Sequence, residues 1–416
     1  MDKTFPLNKQ QLEALAEKYP TPFYLYDEAA IRQNARQIQE AFSVFPHFYQ
    51  HFAVKALPNP AIIRILREEG FGADCSSLPE LLLAEMAGIT GEGIMFSSNE
   101  TPSHEFRKAA ELGAIINLDD ITHIAFLEKS LGRLPEIVSL RYNPGPLKMG
   151  NSIIGNPIEA KYGFTREQIF EGFQILQKKG VKRFALHTMV ASNELNLQYH
   201  LETGKLLFEL AAEVKDRCGI ALELVNLGGG VGIPYKLEQD ALDYQELARG
   251  LKALFDTIAA SAGLAKLGIH TEWGRVVTGP YGWLVSRAIH KKEIFRRYIG
   301  LDASMADLMR PALYGAYHHI TVAGKEDAPC TETYDVVGSL CENNDKFAVR
   351  RALPPIDIGE KSGDLVIIHD AGAHGRAMGF NYNGKLRCGE LLLRADGDII
   401  QIRRRETIED YFATLV

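Results

Sequence analysis

Three separated features of this sequence carry chemistry of one kind. Lys55 closes an otherwise apolar run, FYQHFAVKA. Burying an isolated ammonium is costly unless it is paired or its pKa falls, so a lysine at a strand end is a candidate for imine formation with a carbonyl compound. The plain alternative is a rim lysine whose stem lies on the strand while its charge reaches water. The second feature is NLGGGVG (226–232), which follows another strand-like run. Consecutive glycines bare backbone N–H groups and let a phosphate approach without Cβ obstruction. The run is neither a spaced G-x-G-x-x-G nor a GK[ST] loop, so a small phosphate-bearing cofactor suits it better than a dinucleotide or a nucleoside triphosphate. A tight turn needing positive φ would explain the glycines equally. The third feature is Glu272, followed by Arg275 in EWGR. A carboxylate against a pyridine nitrogen keeps the ring protonated and makes it a better electron sink; an ordinary Glu–Arg ion pair is the alternative. Lysine, phosphate loop and carboxylate together are the parts of a pyridoxal 5'-phosphate site.

The elements that must position these groups alternate between strand-like and helix-like from about residue 28 to 275. Eight β-favouring runs occur, at 48–56, 72–76, 93–98, 114–119, 137–143, 183–189, 222–228 and 268–274, with amphipathic stretches such as NPAIIRILREE and SHEFRKAAEL between most of them. Eight β-α units in about 250 residues have the rhythm of a (β/α)8 TIM-type barrel. The runs finish in Lys55, Asp74, Ser98, Asp119, Asn143, His187, Gly228 and Glu272. A barrel fills its strand interiors with apolar side chains and keeps its chemistry at the carboxyl ends, so these endings predict one mouth lined with functional groups. An open doubly wound sheet, the α/β alternative, need not converge its strands on one site. After residue 275, runs such as YGWLVSRAI, YDVVGSLC, GDLVIIHDAG and DGDIIQIRRR are joined by short Gly, Asp and Pro turns, which predicts a second, antiparallel β domain. The early run TPFYLYDE is expected to pair with it. The expected division is a barrel over 28–275 and a β-sandwich or β-barrel domain from 1–27 plus 276–416.

Bulk properties narrow the function classes. The 416 residues exceed one ordinary core, with 46% hydrophobic and 24% charged residues. A net charge of -7 argues against nucleic-acid binding. The basic run Arg403–Arg404–Arg405 lies beside Glu406, Glu409 and Asp410 and reads as a self-paired, solvated face. The five cysteines form no C-x-x-C pair, so neither a disulfide framework nor a zinc site is expected and a reducing, cytoplasmic setting fits. No H-x-H pair occurs, so no metal is expected. No apolar signal core and no stretch of about 18–20 apolar residues is found, so no membrane association is expected.

Further candidates lie downstream. Arg310 and Tyr314 occur in DLMRPALYGAYHHI, Cys341 and Glu342 in GSLCENNDKF, and Tyr382 in FNYNGKLRCGE. An arginine can grip a substrate carboxylate through paired hydrogen bonds. Glu342 could hold a distal ammonium, and a cysteine near Cα could return a proton after CO2 leaves. Each has a structural alternative; Cys341 in particular could be a small buried hydrophobe.

From TPFYLYD to the last strand, the sequence resembles the fold type III pyridoxal-phosphate decarboxylases, most closely the diaminopimelate decarboxylases among them. The resemblance rests on FAVKA around Lys55, GADCSSLPEL around Asp74, NLGGGVGIPY, EWGR, RPALYGAYH, CENND and NYN. It implies an alanine-racemase-like barrel with a β domain, and a homodimer with active sites at its interface. It further implies Lys55 as the Schiff-base lysine, Glu272 as partner of the pyridine nitrogen, and Asp74 as a further cofactor-site residue. Ser192, Gly229, Gly230 and Tyr382 would surround the phosphate. Arg275, Arg310, Tyr314 and Glu342 would hold substrate, with Glu342 and Cys341 supplied by the second subunit. The reaction implied is loss of CO2 from meso-2,6-diaminopimelate to give L-lysine.

The sequence departs from that pattern in places. The usual H-x-G-S element reads Met189-Val190-Ala191-Ser192, so Met189 stands where relatives stack a histidine on the cofactor ring. A thioether can still pack on a ring face. His187, two residues earlier, shares that strand face. Trp273 replaces the proline of E-P-G-R, A-G-A-Y-G reads AGAHG at 371–375, and GPLKMGNSIIGNPIEAKYGF looks like an insertion at the mouth. These departures motivate a second expectation: a related decarboxylase acting on another diamino acid, N-acylated ones included, as in siderophore or polyamine synthesis.

Overall fold

The computed structural model describes residues 3–149 and 155–416. The chain divides into two compact units, one of Met1–Ile31, Pro234–Asp240 and Thr278–Val416, the other of Arg32–Ile233 and Ala241–Val277. In chain order, the strands begin with β1 (Phe23–Asp27) of the first unit, followed by β2 (Phe48–Ala53), β3 (Gly72–Cys75), β4 (Ile94–Ser97), β5 (Ile115–Leu118), β6 (Ile137–Arg141), β7 (Arg183–His187), β8 (Leu224–Asn226) and β9 (Gly268–Thr271) of the second. These eight form a closed parallel barrel, as the sequence rhythm predicts, and β9 returns to β2 through Tyr49↔His270 and Gln50↔Thr271. The open doubly wound alternative is set aside.

Local signals explain where the barrel helices start. Asn59, Asn196 and Asp243 each cap a helix by accepting a backbone N–H, and Thr165 with Gln168 makes a reciprocal capping box. Side chains of in-register partners share a face of the sheet. On the inner face, Met95, Ile115, Ile137, Ala185 and Leu224 pack as one apolar layer. Two residues further along each of those strands stand Ser97, Asn117, Ser139, His187 and Asn226, and four of these five are buried. The barrel interior is therefore not apolar throughout, as expected from the sequence, but carries a polar layer beneath its carboxyl-terminal mouth.

In the other unit, β10 (Gly282–Glu293), β11 (Arg297–Leu301), β12 (Ile320–Val322), β13 (Glu332–Val337), β14 (Lys346–Leu353), β15 (Leu365–Ile368), β16 (Gly389–Leu393) and β17 (Ile399–Arg403) join β1 in one sheet. Most pairs are antiparallel, but β1 with β16 and β11 with β13 run parallel. As anticipated from TPFYLYDE, β1 pairs with β10 and β16. The helix Lys9–Lys18 lays Leu12, Leu15 and Ala16 on Phe23, Leu25, Trp283, Val285 and Ile367 to form this unit's core. The basic run is only partly self-paired. Arg404 pairs with Asp410, whereas Arg403 reaches Glu390 and Arg405 donates to the Thr21 carbonyl.

Candidate active site

Lys55 lies just past the end of β2, in a 3-10 turn (Val54–Ala56), and is exposed. The strand stops at Ala53 rather than running on to residue 56. The ammonium acts electrostatically on Asp74, Glu80 and Glu272, pulling the pKa of each carboxyl downward. An amine reachable from solvent yet facing three carboxyls at a barrel mouth can meet an incoming carbonyl compound.

Glu272 follows β9 and is buried. Its Oε1 accepts from Asn226 Nδ2 at 2.8 Å and from Ser97 Oγ at 3.2 Å. Its Oε2 accepts from His187 Nε2 at 3.0 Å. No Glu272–Arg275 ion pair occurs among the described residues; Arg275 instead donates to Ser192 Oγ at 3.3 Å. Burial pushes the Glu272 carboxyl up, but the hydrogen bond from His187 and the charge of Lys55 act against it and the group is held down at about 2. The carboxylate is ionised across the physiological range. Asp74, also buried, goes the other way: desolvation and the charge of Glu272 raise it, with Lys55 and Ser97 opposing. The two buried carboxyls are thus driven in opposite directions, Glu272 down and Asp74 up. Asp74 Oδ1 is buried without a hydrogen-bond partner.

The glycine run lies against the loop that follows β7. Glu194 N–H donates to the Gly230 carbonyl and Gly232 N–H to the Glu194 carbonyl, so Ser192 is drawn beside the glycines. Gly228 and Gly230 have φ of +69° and +107°, and a Cβ at Gly228 would sit 2.1 Å from the Thr188 carbonyl oxygen. Backbone packing alone thus demands glycine at these two positions. Met189 also joins this corner, accepting the Gly229 N–H on its sulfur at 3.1 Å. It lines a small cavity with Tyr142, Tyr162 and Val190. Residues 150–154 of the insertion-like stretch lie outside the described residues. Both nitrogens of His187 are engaged, one with Asn117 and one with Glu272.

The first unit, which includes Thr278–Val416, holds the remaining candidates. Arg310 is buried and donates through Nη1 to Tyr235 Oη at 2.7 Å and to His318 Nε2 at 2.9 Å, with its guanidinium over the Tyr235 ring. Tyr314, Cys341 and Tyr382 are exposed. Cys341 N–H donates to Asn383 Oδ1 at 2.7 Å, which sets Cys341 next to the turn bearing Tyr382. Cys341 is not the buried hydrophobe its alternative reading required. The Glu342 carboxylate accepts from Asn344 N–H at 3.0 Å.

Sequence reasoning missed Ser97, Asn117 and Asn226, small polar residues inside short buried strands. It also missed Arg141, which ends β6, pairs with Asp119 at 3.3 Å and lies 3.8 Å from the centre of the Tyr162 ring. Trp273 is buried, edge-on to Phe42.

The donor set fits pyridoxal phosphate. It offers an accessible amine, an ionised carboxylate for a pyridinium, an orphaned carboxyl oxygen on Asp74, and a corner of Ser192, Arg275 and loop N–H groups for an anion. Residues 28–279 match the family described as "Pyridoxal-dependent decarboxylase, pyridoxal binding domain". The chain belongs to that family. This decarboxylase is 45% identical, over 98% of its length and 93% of the relative's, to Protein TabA of Pseudomonas amygdali pv. tabaci. It is 34% identical, over 95% of its length and 92% of the relative's, to diaminopimelate decarboxylase of Methanothermobacter thermautotrophicus. Among solved structures, diaminopimelate decarboxylase of Helicobacter pylori complexed with L-lysine superposes with a TM-score of 0.86 at 29% identity, covering 97% of this chain and 98% of that one. The M. jannaschii enzyme gives 0.89 at 28%, covering 97% and 94%. This pyridoxal-phosphate enzyme is a carboxy-lyase.

Proposed function

We propose that the enzyme decarboxylates meso-2,6-diaminopimelate to L-lysine, with pyridoxal phosphate held on Lys55. The observation that carries this reading is the exposed Lys55 amine in the field of the ionised, thrice hydrogen-bonded Glu272. The relatives named diaminopimelate decarboxylase, one of them complexed with L-lysine, support the substrate. When bound, the cofactor supplies an electron sink for the pair left at Cα as CO2 departs. Glu272 keeps the ring nitrogen protonated. Ser192, Gly229, Gly230 and Arg275 hold the phosphate, with Tyr382 completing that set. Met189 would pack on a ring face, and the carboxyl of Asp74, pushed up by burial and by the charge of Glu272, would take a hydrogen bond at its unpartnered Oδ1. Arg310, Tyr314 and Glu342 hold substrate, and Cys341 returns a proton to Cα.

The working form is a homodimer in which the second copy supplies Glu342 and Cys341, and the five free cysteines support a cytoplasmic setting. Among the described residues no helix is long and apolar enough to cross a membrane. A second reading, decarboxylation of another diamino acid, is favoured by Met189 and by the 45% identity to a relative whose name states no activity. Release of CO2 from a panel of L-, D- and meso-diamino acids, N-acylated ones included, separates the two. Turnover of meso-diaminopimelate above all others supports the first, and a fully loaded protein inert toward it rules it out.

A further inference from the structure

Behind Glu272, the polar layer of the barrel forms a directed chain of hydrogen bonds. Asn117 Nδ2 lies 3.1 Å from His187 Nδ1, and His187 Nε2 lies 3.0 Å from Glu272 Oε2. All three side chains are buried, with Asn117 3% and His187 1% exposed. An amide nitrogen can only donate, so His187 Nδ1 must offer a lone pair. A neutral imidazole then carries its proton on Nε2, where it donates to the carboxylate. We propose that Asn117 is a positioning residue that locks His187 in the neutral Nε2–H tautomer, so that Glu272 is oriented without having its charge cancelled.

The distinction matters for a pyridine nitrogen. An imidazolium 3.0 Å from the carboxylate would pair with it as a fixed cation and weaken its hold on a second proton. A neutral donor fixes the carboxylate's rotation and leaves the negative charge for the ring. Asn226 and Ser97 pin the other oxygen, and they too are neutral. Two carboxylates, Glu272 and Asp119, face His187 and would favour an imidazolium; the Asn117 N–H at Nδ1 stands against it. Asp119 acts on His187 electrostatically, but its carboxylate is engaged by Arg141 at 3.3 Å and by Asn99, which reduces its pull for a second proton on His187. Lys55 and His51 act on Glu272, and Asp74 is raised by it. A second proton on His187 would need an acceptor at Nδ1, where the Asn117 amide now presents its N–H.

This inference rests on the reading that the cofactor ring nitrogen meets Glu272, and the test keeps the two apart. In 15N-histidine-labelled holoprotein at neutral pH, His187 is expected to show a protonated Nε2 and an unprotonated Nδ1. Two protonated nitrogens in the unaltered protein would overturn the proposal. In Asn117→Asp, which conserves shape and supplies an acceptor, both ring nitrogens should be protonated, and kcat should fall about 10- to 100-fold, the usual scale for losing an orienting partner. A ring unchanged from the parent protein in that variant would also overturn it. Borohydride treatment of the same samples reads the other question. A pyridoxyl group trapped on Lys55 together with a doubly protonated His187 sinks the tautomer lock alone, and no trapped group sinks the cofactor reading.

Discussion

The sulfur of Met189 accepts the backbone N–H of Gly229 at 3.1 Å, tying the loop after β7 to the glycine run after β8. Thioether sulfur is a weak acceptor, yet here it takes up the half-buried backbone donor of Gly229. Met189→Leu keeps the bulk and removes the acceptor. The apoprotein should lose about 1 kcal/mol, seen as a drop of roughly 2–4 °C in apparent Tm. An unchanged melting profile would show that the sulfur contact does not hold the loop.

Lys55 sits on a turn, exposed, and packs into no core. Lys55→Ala should therefore change folding stability by no more than about 0.5 kcal/mol, while decarboxylation falls by at least about 100-fold. Borohydride reduction followed by peptide mass analysis checks the cause. The parent protein should carry a pyridoxyl group on the Lys55 peptide and the variant none. A variant that retained activity would remove the residue on which the cofactor assignment depends.

The barrel was legible because its eight apolar runs each give way to a polar or glycine residue, and all eight strands fall within the expected runs. Ends overran where chemistry begins: the run through Lys55 is strand only to Ala53, since the lysine needs a turn to leave the sheet. The polar layer was not legible. Strands of a parallel barrel are buried on both faces, so Ser139 between Val138 and Leu140, or Asn117 between Ile116 and Leu118, gives no sign of which face it takes. The link from His187 to Glu272 spans 85 residues and exists only once β7, β8 and β9 stand side by side. The alternative for Glu272, pairing with Arg275, failed for the same reason: three partners from other strands had already taken its oxygens.

Asp74 offers a pH test with a definite sign. Burial, then the charge of Glu272, raises its folded-state pKa above the ordinary aspartate value. The folded protein thus binds this proton more tightly than the unfolded chain. The stabilisation is complete below about pH 4, the unfolded value, and is lost as pH climbs through the raised one. Asp74→Asn cannot ionise, so relative to the parent apoprotein it should gain stability as pH rises. Tm values of the two proteins measured from acid to neutral pH should diverge in that direction. Curves that converge toward neutral pH would mean that Asp74 is stabilised as a carboxylate.

The N-terminal segment supplies a second titration. Lys3 Nζ lies 2.9 Å from Asp370 Oδ1 and 2.7 Å from Oδ2, and its side chain is only 6% exposed. Burial raises the Asp370 carboxyl to about 6 against the pull of Lys3. With the folded pKa above the unfolded value, this group's contribution is full below about pH 4 and is lost as pH rises through 6, an effect of up to about 3 kcal/mol. Lys3→Met removes the cation that restrains the shift. The 13C carboxyl resonance of Asp370 should titrate near pH 6 in the parent protein and at higher pH in the variant. A midpoint that stayed put or moved down would show that Lys3 does not stabilise the charged carboxylate, and that the N-terminal segment is held by its backbone and apolar contacts instead.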